Sequence, residues 1–340
     1  MIIKTKAPVR IDFAGGWTDV AEFTAQSRGV VVNAALDLHV HAEFRPGGDT
    51  IRLVSEDLLE RVVVSNLSDL EYDGRLDLHK AAINMLPVTG GIEILTRSGV
   101  PHGSGLGASG SLAVALLAGL AVQREEALEP EQLAEMGYEL EARELGLLGG
   151  KQDQYAAAVG GVNEFSFEAE DVSARSLAID DAGLRELESH LSLVYTSQSH
   201  FSSGTHEEVW KAYRNGDGAV RDALYRIRDI AASVKDVIEA GEWESLGRLM
   251  GATWEQQKLL HPTISTDAIE AIQRACTEAG AWALKATGAG AGGCVLVAGP
   301  AQRKPDIESA ALKAGAELLP CAILRNGVQV VKEGEGVDEE

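Results

Sequence analysis

Residues 101–120, PHGSGLGASGSLAVALLAGL, constrain this chain more than any other stretch. Glycines at 103, 105 and 107 permit positive φ, which turns successive backbone N–H groups toward one point, and an apolar helix starts directly behind them. The unpaired N–H groups and positive dipole end of such a helix favour an anion. Ser104, Ser109 and Ser111 add hydroxyls for phosphate or Mg²⁺. A Walker loop is excluded, because no GxxxxGK[ST] occurs; Gly146 to Lys151 comes near but ends in Gln152. Gly105 to Gly110 does spell the GxGxxG of a dinucleotide fold. That match is weak: eight or more residues separate it from the strand-like GIEIL, and the acids at Glu125 and Glu126 end no strand. A plain glycine-rich turn ahead of a buried helix stays open on these residues alone.

The surrounding pattern is α+β. Residues 36–44, LDLHVHAEF, alternate apolar and polar, which predicts a half-buried antiparallel strand. TIRLVS (50–55), RVVVS (61–65), GIEIL (91–95), VNEFSF (162–167) and LSLVYT (191–196) read as further strands. KAAINML (80–86) and EPEQLAEMGYELEAREL (129–145) read as helices, and 168–190 as an acidic, irregular segment. A helical block over 205–260, broken at 215–218 and at Gly241, is followed by TDAIEAIQRACTEAG with a glycine C-cap. AWALKAT, GCVLVAG, a helix near 305–316, CAILR and GVQVV complete the pattern. Two domains are expected, 1–185 and 186–332, with an acidic tail at 333–340.

The charge narrows the partners. At −22, with 52 acidic and 30 basic side chains, the chain repels nucleic acid and anionic membrane surfaces. Any anionic substrate must meet a local cluster that outweighs this field. No run of 18 apolar residues occurs, and MIIKTKAPVRIDF has neither signal-peptide nor transit-peptide character. Cys276, Cys294 and Cys321, far apart and without CxxC, predict neither a disulfide framework nor a zinc site. A cytoplasmic protein is the expectation, and a homodimer is compatible with it. His39 and His41 share a strand face, but no third ligand is placed beside them, so a solvated face is the better reading.

Two further glycine stretches, APVRIDFAGGWTDV (7–20) and KATGAGAGGCVLV (285–297), flank PHGSGLGASGS. With these three motifs in order the chain resembles the GHMP kinases, the family of galactokinase, homoserine kinase, mevalonate kinase and phosphomevalonate kinase. GGKQDQYAAAVGG (149–161) and HPTISTDAIEAI (261–272) extend the likeness. Within the family it resembles the D-glycero-D-manno-heptose 7-phosphate kinases and, through AGGWTD, the kinase half of fucokinases. The resemblance implies a domain like the second domain of ribosomal protein S5 followed by a ferredoxin-like domain. It implies MgATP-dependent phosphorylation of a sugar or sugar phosphate at the anomeric hydroxyl, with heptose 7-phosphate as acceptor and fucose or another monosaccharide as alternative. A catalytically silent sugar or nucleotide sensor is the alternative of another class.

The resemblance also assigns residues. Asp153 matches the family's catalytic base, and a sugar hydroxyl does need a carboxylate to take its proton. Arg10 matches an arginine near the reacting hydroxyl and γ-phosphate. Gly103, Ser104, Gly105, Leu106, Gly107, Ala108, Ser109 and Ser111 form the ATP-phosphate loop. Ser109 and Glu141 match Mg²⁺ ligands, Glu141 standing twelve residues before Asp153; family members usually carry Ser-Ser where this chain has Ala108-Ser109. Gly16, Thr18, Asp19, Lys151, Gly288 and Gly290 are expected at the acceptor, with Lys151 or Arg97 meeting its phosphate. Lys285 is a candidate phosphate contact, Asp12 a structural residue, and the loop flanked by His200 and His206 a candidate acceptor contact.

Overall fold

The computed structural model of the chain describes residues 1–169, 171–198 and 203–333. His200 and most of the acidic tail lie outside the described residues. The first unit is organised by one long strand. After β1 (Ile2–Ala14) and the short α1 (Ala21–Thr24), β2 runs from Gly29 to Pro46. It pairs antiparallel with β1, and then with two different partners: its second half with β5 (Ile92–Ser98) and its first half with β6 (Val162–Glu168). β3 (Ile51–Ser55) lies parallel to β5 and antiparallel to β4 (Glu60–Val64), and β7 (Asp171–Ser176) extends β6. Along β2, Leu36, Val40, Ala42 and Phe44 are buried while Asp37 is exposed, as the alternation predicts.

Helices α2 (Asp77–Met85), α3 (Ala108–Gln123), α4 (Pro130–Tyr138) and α5 (Gln152–Val159) cover this sheet. α3 is apolar on every side and buries Ala113 to Ala121 without a break, so it lies under the other helices and against the sheet. Gly119 permits that approach: a Cβ there would stand 2.0 Å from the Phe44 ring. The helix expected over 129–145 does not stay α. It widens into a π-turn at Glu139–Glu144, closed by Leu145 N–H donating to the Leu140 carbonyl at 3.2 Å.

The segment 168–190, read as irregular, contains β7 and α6 (Asp181–Ser189) instead. α6 buries only Leu184 and Leu187, and its N-cap is Asp180, whose carboxylate accepts from Gly183 N–H at 2.8 Å. β8 (Leu191–Tyr195) then opens a second sheet, ordered β11 (Glu317–Leu319), β8, β10 (Cys294–Ala298) and β9 (Ala283–Ala286). α7 (Ser203–Arg214), α8 (Gly218–Glu239), α9 (Trp243–Lys258), α10 (Asp267–Glu278) and α11 (Lys304–Lys313) complete the second unit. CAILR is not a strand; it forms an isolated bridge, Leu36 to Ile323. The last strand, β12 (Gln329–Glu333), returns to the first sheet and pairs antiparallel with β1.

Val9, Ile11, Phe13, Val32 and Leu36 of the first sheet pack with Leu193 and Leu296 of the second and with Ala231, Val234 and Met250 of α8 and α9. This shared core fixes the two units against each other. The glycine stretches meet where the units join.

Candidate active site

A cavity of about 560 Å³ lies at that junction. Arg10, at 5% exposure, ties its walls together. Its Nη1 donates to the carbonyls of Gly105 (2.6 Å) and Thr287 (2.8 Å), one from each of two glycine loops. Its Nε and Nη2 donate to Asp153 Oδ1 at 2.8 and 2.7 Å. The carboxylate of the first turn of α5 is thus held through one oxygen, and Oδ2 stays available.

The loop before α3 alternates left-handed glycines: Gly103, Gly105 and Gly107 have φ of 70°, 71° and 78°. The first N–H groups of α3 have no partner inside the helix and point back to this loop. Room is scarce around it. A Cβ on Gly107 would meet Asp153 Cγ at 2.9 Å, and one on Gly288 would meet the Gly105 carbonyl at 2.9 Å. Gly103, Ser104, Gly105, Gly107, Ala108 and Ser109 line the cavity. Leu106 and Ser111 do not. Leu106 is a core residue, and the Ser111 hydroxyl donates to the carbonyls of Pro8 (2.8 Å) and Gly107 (3.1 Å) inside the fold.

The π-turn swings Glu141 into the cavity, where its carboxylate accepts from the Ser109 hydroxyl and the Gln154 side-chain amide. Burial pushes this carboxyl up to about 7; Ser109 and Gln154 oppose the rise and Asp153 adds to it. Asp19, 4% exposed, accepts from the Gln152 backbone N–H at 3.0 Å and from its side-chain amide at 3.4 Å. Burial raises it to about 6, with Asp153 and Asp12 contributing. Among the described residues no cluster of three or more His, Cys, Asp or Glu suited to a metal occurs.

The other expected residues divide. Gly16 and Gly288 line the cavity, and a Cβ on Gly16 would stand 2.3 Å from Asp12 Oδ2. Thr18 is fully buried and its hydroxyl donates to the carbonyls of Gly15 and Val30, so it braces the turn rather than facing the cavity. Gly290 packs under Ile264. Lys151 turns away: its ammonium sits 2.8 and 2.9 Å from the Glu135 carboxylate oxygens and 5.1 Å above the Tyr138 ring. Lys285 lies 1% exposed behind the loops, paired with Asp12 Oδ2 at 3.0 Å and donating to the carbonyls of Asp12 and Ala286. Its pKa falls through burial.

Sequence reading left several wall residues unassigned. Trp17, inside AGGWTD, holds φ of 79° and stacks on His206 of α7 with ring centroids 4.3 Å apart. Such left-handed strain in a bulky residue gathers at functional sites. Burial pushes the His206 imidazole down to about 4. Buried atoms of Asp12 (Oδ1), Trp17 (Nε1), Gln152 (Oε1), Gln154 (Oε1) and His206 (Nδ1) have no hydrogen-bond partner among the described residues, and all five residues line this cavity. Buried polar groups of this kind can be satisfied by a polar ligand or by water. At the opposite end Ser55, Asp57, Leu58, Leu78, Thr96, Arg97 and Ser98 form the wall. Apart from Arg97, expected from the sequence at the acceptor phosphate, no local motif signals them, because the strand ends and α2 meet only in the folded sheet.

The family model for the GHMP kinases N terminal domain matches residues 76–161, and that for the GHMP kinases C terminal matches 233–317. The chain is 31% identical over 301 residues to the D-glycero-alpha-D-manno-heptose 7-phosphate kinase of Campylobacter jejuni, covering 86% of this chain and 87% of that one. It is 29% identical over 319 residues to the L-fucokinase/L-fucose-1-P guanylyltransferase of Bacteroides fragilis, covering 80% of this chain and 32%, about a third, of that one. A crystal structure described as a D-glycero-D-manno-heptose 1-phosphate kinase from Bacteriodes thetaiotaomicron superposes with a TM-score of 0.82 at 26% identity, covering 98% of this chain and all of that one.

Proposed function

The chain belongs to the GHMP kinase family and is a sugar kinase homologue; from that premise we propose that it transfers the γ-phosphoryl group of ATP to the anomeric hydroxyl of D-glycero-D-manno-heptose 7-phosphate. The observation that carries the proposal is the Arg10–Asp153 pair between the glycine loops, with Asp153 Oδ2 left over for a hydroxyl proton.

In this reading the wall of Ser55, Leu58, Leu78 and Thr96 takes the adenosine, and the N–H groups of the 103–109 loop hold the phosphates. The acceptor lies among Trp17, Asp19, Gln152 and His206, and the unpaired polar atoms of Trp17, Gln152 and His206 suit a polyol. Asp153 accepts the hydroxyl proton, the sugar oxygen bonds to the γ-phosphorus, and the bond to the β–γ bridging oxygen breaks to release ADP. Arg10 orients Asp153 and places a positive charge beside the transferring group.

The donor set fits Mg²⁺. Ser109 and Glu141 offer hard oxygen atoms side by side on the cavity wall. Ser109 and Glu141 would be the residues to hold Mg²⁺, which would supply neutralisation of phosphate charge there. A cytoplasmic location is part of this proposal; among the described residues no helix is long and apolar enough to cross a membrane.

One observation favours a second reading, an uncharged acceptor such as fucose. Lys151 and Arg10, the two cations that the resemblance places at the acceptor and the reacting hydroxyl, are already paired with carboxylates. An ADP-release assay across heptose 7-phosphate, free heptose and fucose decides between them. The first reading expects the highest kcat/KM on the 7-phosphate. Preferred turnover of fucose establishes the second, and no ADP release with any sugar overturns both.

A further inference from the structure

The outer face of the first sheet, which reaches the cavity only at Arg97, carries an arrangement to which the proposed transfer assigns no role. Lys6 of β1 stands directly opposite His41 of β2, and His41 stands directly opposite Arg97 of β5. Opposed residues leave the same face of a sheet, so three basic side chains form a row across three adjacent strands. Like charges placed directly opposite destabilise a sheet, and this chain has 52 acidic side chains with which to avoid it.

The neighbouring positions do avoid it. Lys4 is opposite Glu43 and pairs with Glu333 at 2.7 Å. Arg45 pairs with Glu43 at 2.6 Å and Glu93 at 3.0 Å, and Arg52 with Glu93 at 3.2 Å. Neither Lys6 nor Arg97 has a carboxylate partner among the described residues. The residue facing Lys6 from β12 is Gln329, which carries no charge.

We propose that Lys6, His41 and Arg97, with His39 beside them, form a second anion site that takes inorganic phosphate or the phosphate group of a monoester. Adjacent strands are about 4.8 Å apart, so the two long side chains start about 10 Å from each other and can close over an ion centred on the His41 ring. His39 extends the row, its ring centroid 5.8 Å from that of His41. The groups facing the two imidazoles are all accounted for. Burial, Arg97 and Lys6 hold His41 below its ordinary value, while burial, Lys6 and His41 do the same to His39 against the pull of Asp37, 3.6 Å away. On β3's side Glu56 and Asp57 follow the strand, and Asp57 accepts from Ser98 N–H at 3.1 Å. A bound phosphate offsets the effect of the two cations on His41, so phosphate binding and protonation of the ring favour each other. Arg97 also lines the nucleoside end of the cavity, which gives the ion a direct neighbour there.

The test follows the His41 imidazole by NMR through a pH titration of the full chain. Inorganic phosphate, glycerol phosphate and chloride are compared at equal ionic strength, with ADP saturating the cavity. At about 20 mM phosphate the midpoint of His41 should rise by about 0.5 pH units or more over chloride. A rise with both anions identifies the phosphate group as the ligand, and a rise with inorganic phosphate alone restricts the site to the free ion. Lys6→Gln should weaken the effect about fivefold or more with ADP release unchanged, whereas Lys6→Arg should preserve it. An identical His41 midpoint in phosphate and chloride overturns the proposal, as does full retention of the effect in Lys6→Gln.

Discussion

Asp19→Asn isolates what it costs to keep a charge in the acceptor end of the cavity. Asp19 is 4% exposed, and burial raises its carboxyl from 3.8 to about 6. Below pH 3.8 the group is protonated in folded and unfolded chains alike and contributes no difference. Between the two values only the folded chain keeps the proton. Above about pH 6 the folded chain carries a buried charge that the unfolded chain keeps in water. At 1.36 kcal/mol per pH unit, a difference of about 2 pH units costs about 3 kcal/mol of stability at pH 8. An asparagine still accepts from the Gln152 N–H, though more weakly. The variant should therefore gain about 1–3 kcal/mol at pH 8 and nothing at pH 4. At about 2 °C per kcal/mol for a long chain, that is a rise in Tm of about 2–6 °C. The acceptor KM should rise about tenfold or more, with the ATP KM unmoved. Melts of ligand-free parent and variant at pH 8, 6 and 4.5 read the effect. A gain independent of pH, or a loss at pH 8, refutes the reasoning.

Asp153→Asn should lower kcat by about 10²- to 10⁴-fold while ATP affinity, read by calorimetry, holds. Glu141→Gln should raise the Mg²⁺ concentration for half-maximal rate with little change in the acceptor KM; an unchanged Mg²⁺ curve removes Glu141 from the metal site. Lys285→Met leaves Asp12 buried and unpaired, which should cost about 3–5 kcal/mol in urea unfolding. A loss under about 1 kcal/mol would contradict a role for the Lys285–Asp12 pair in stability.

Much of the site was legible because its parts are local. Alternate glycines before an apolar helix announce an anion loop, and Asp153 is marked by the local stretch GGKQDQYAAAVGG that carries the family likeness. Contacts between distant segments were not legible. Nothing near Lys151 names Glu135, and nothing near Lys285 names Asp12, so both lysines read as phosphate contacts until folding supplied their carboxylates. Ser111 resembles Ser109 in sequence, yet helix geometry turns the one into the fold and the other into the cavity. α6 escaped notice because it buries two leucines in an acidic segment, a pattern too sparse for a helical period. The return of β12 to β1 is a pairing across nearly the whole chain, which no window of sequence contains.

The central claim is transfer of the γ-phosphoryl group to the anomeric oxygen, and phosphorus NMR of the product tests it most directly. With MgATP and heptose 7-phosphate, the account predicts a new phosphate resonance split by the anomeric proton, growing as ATP is converted to ADP, while the 7-phosphate signal persists. A phosphate on any other carbon, or inorganic phosphate with the sugar unchanged, contradicts it.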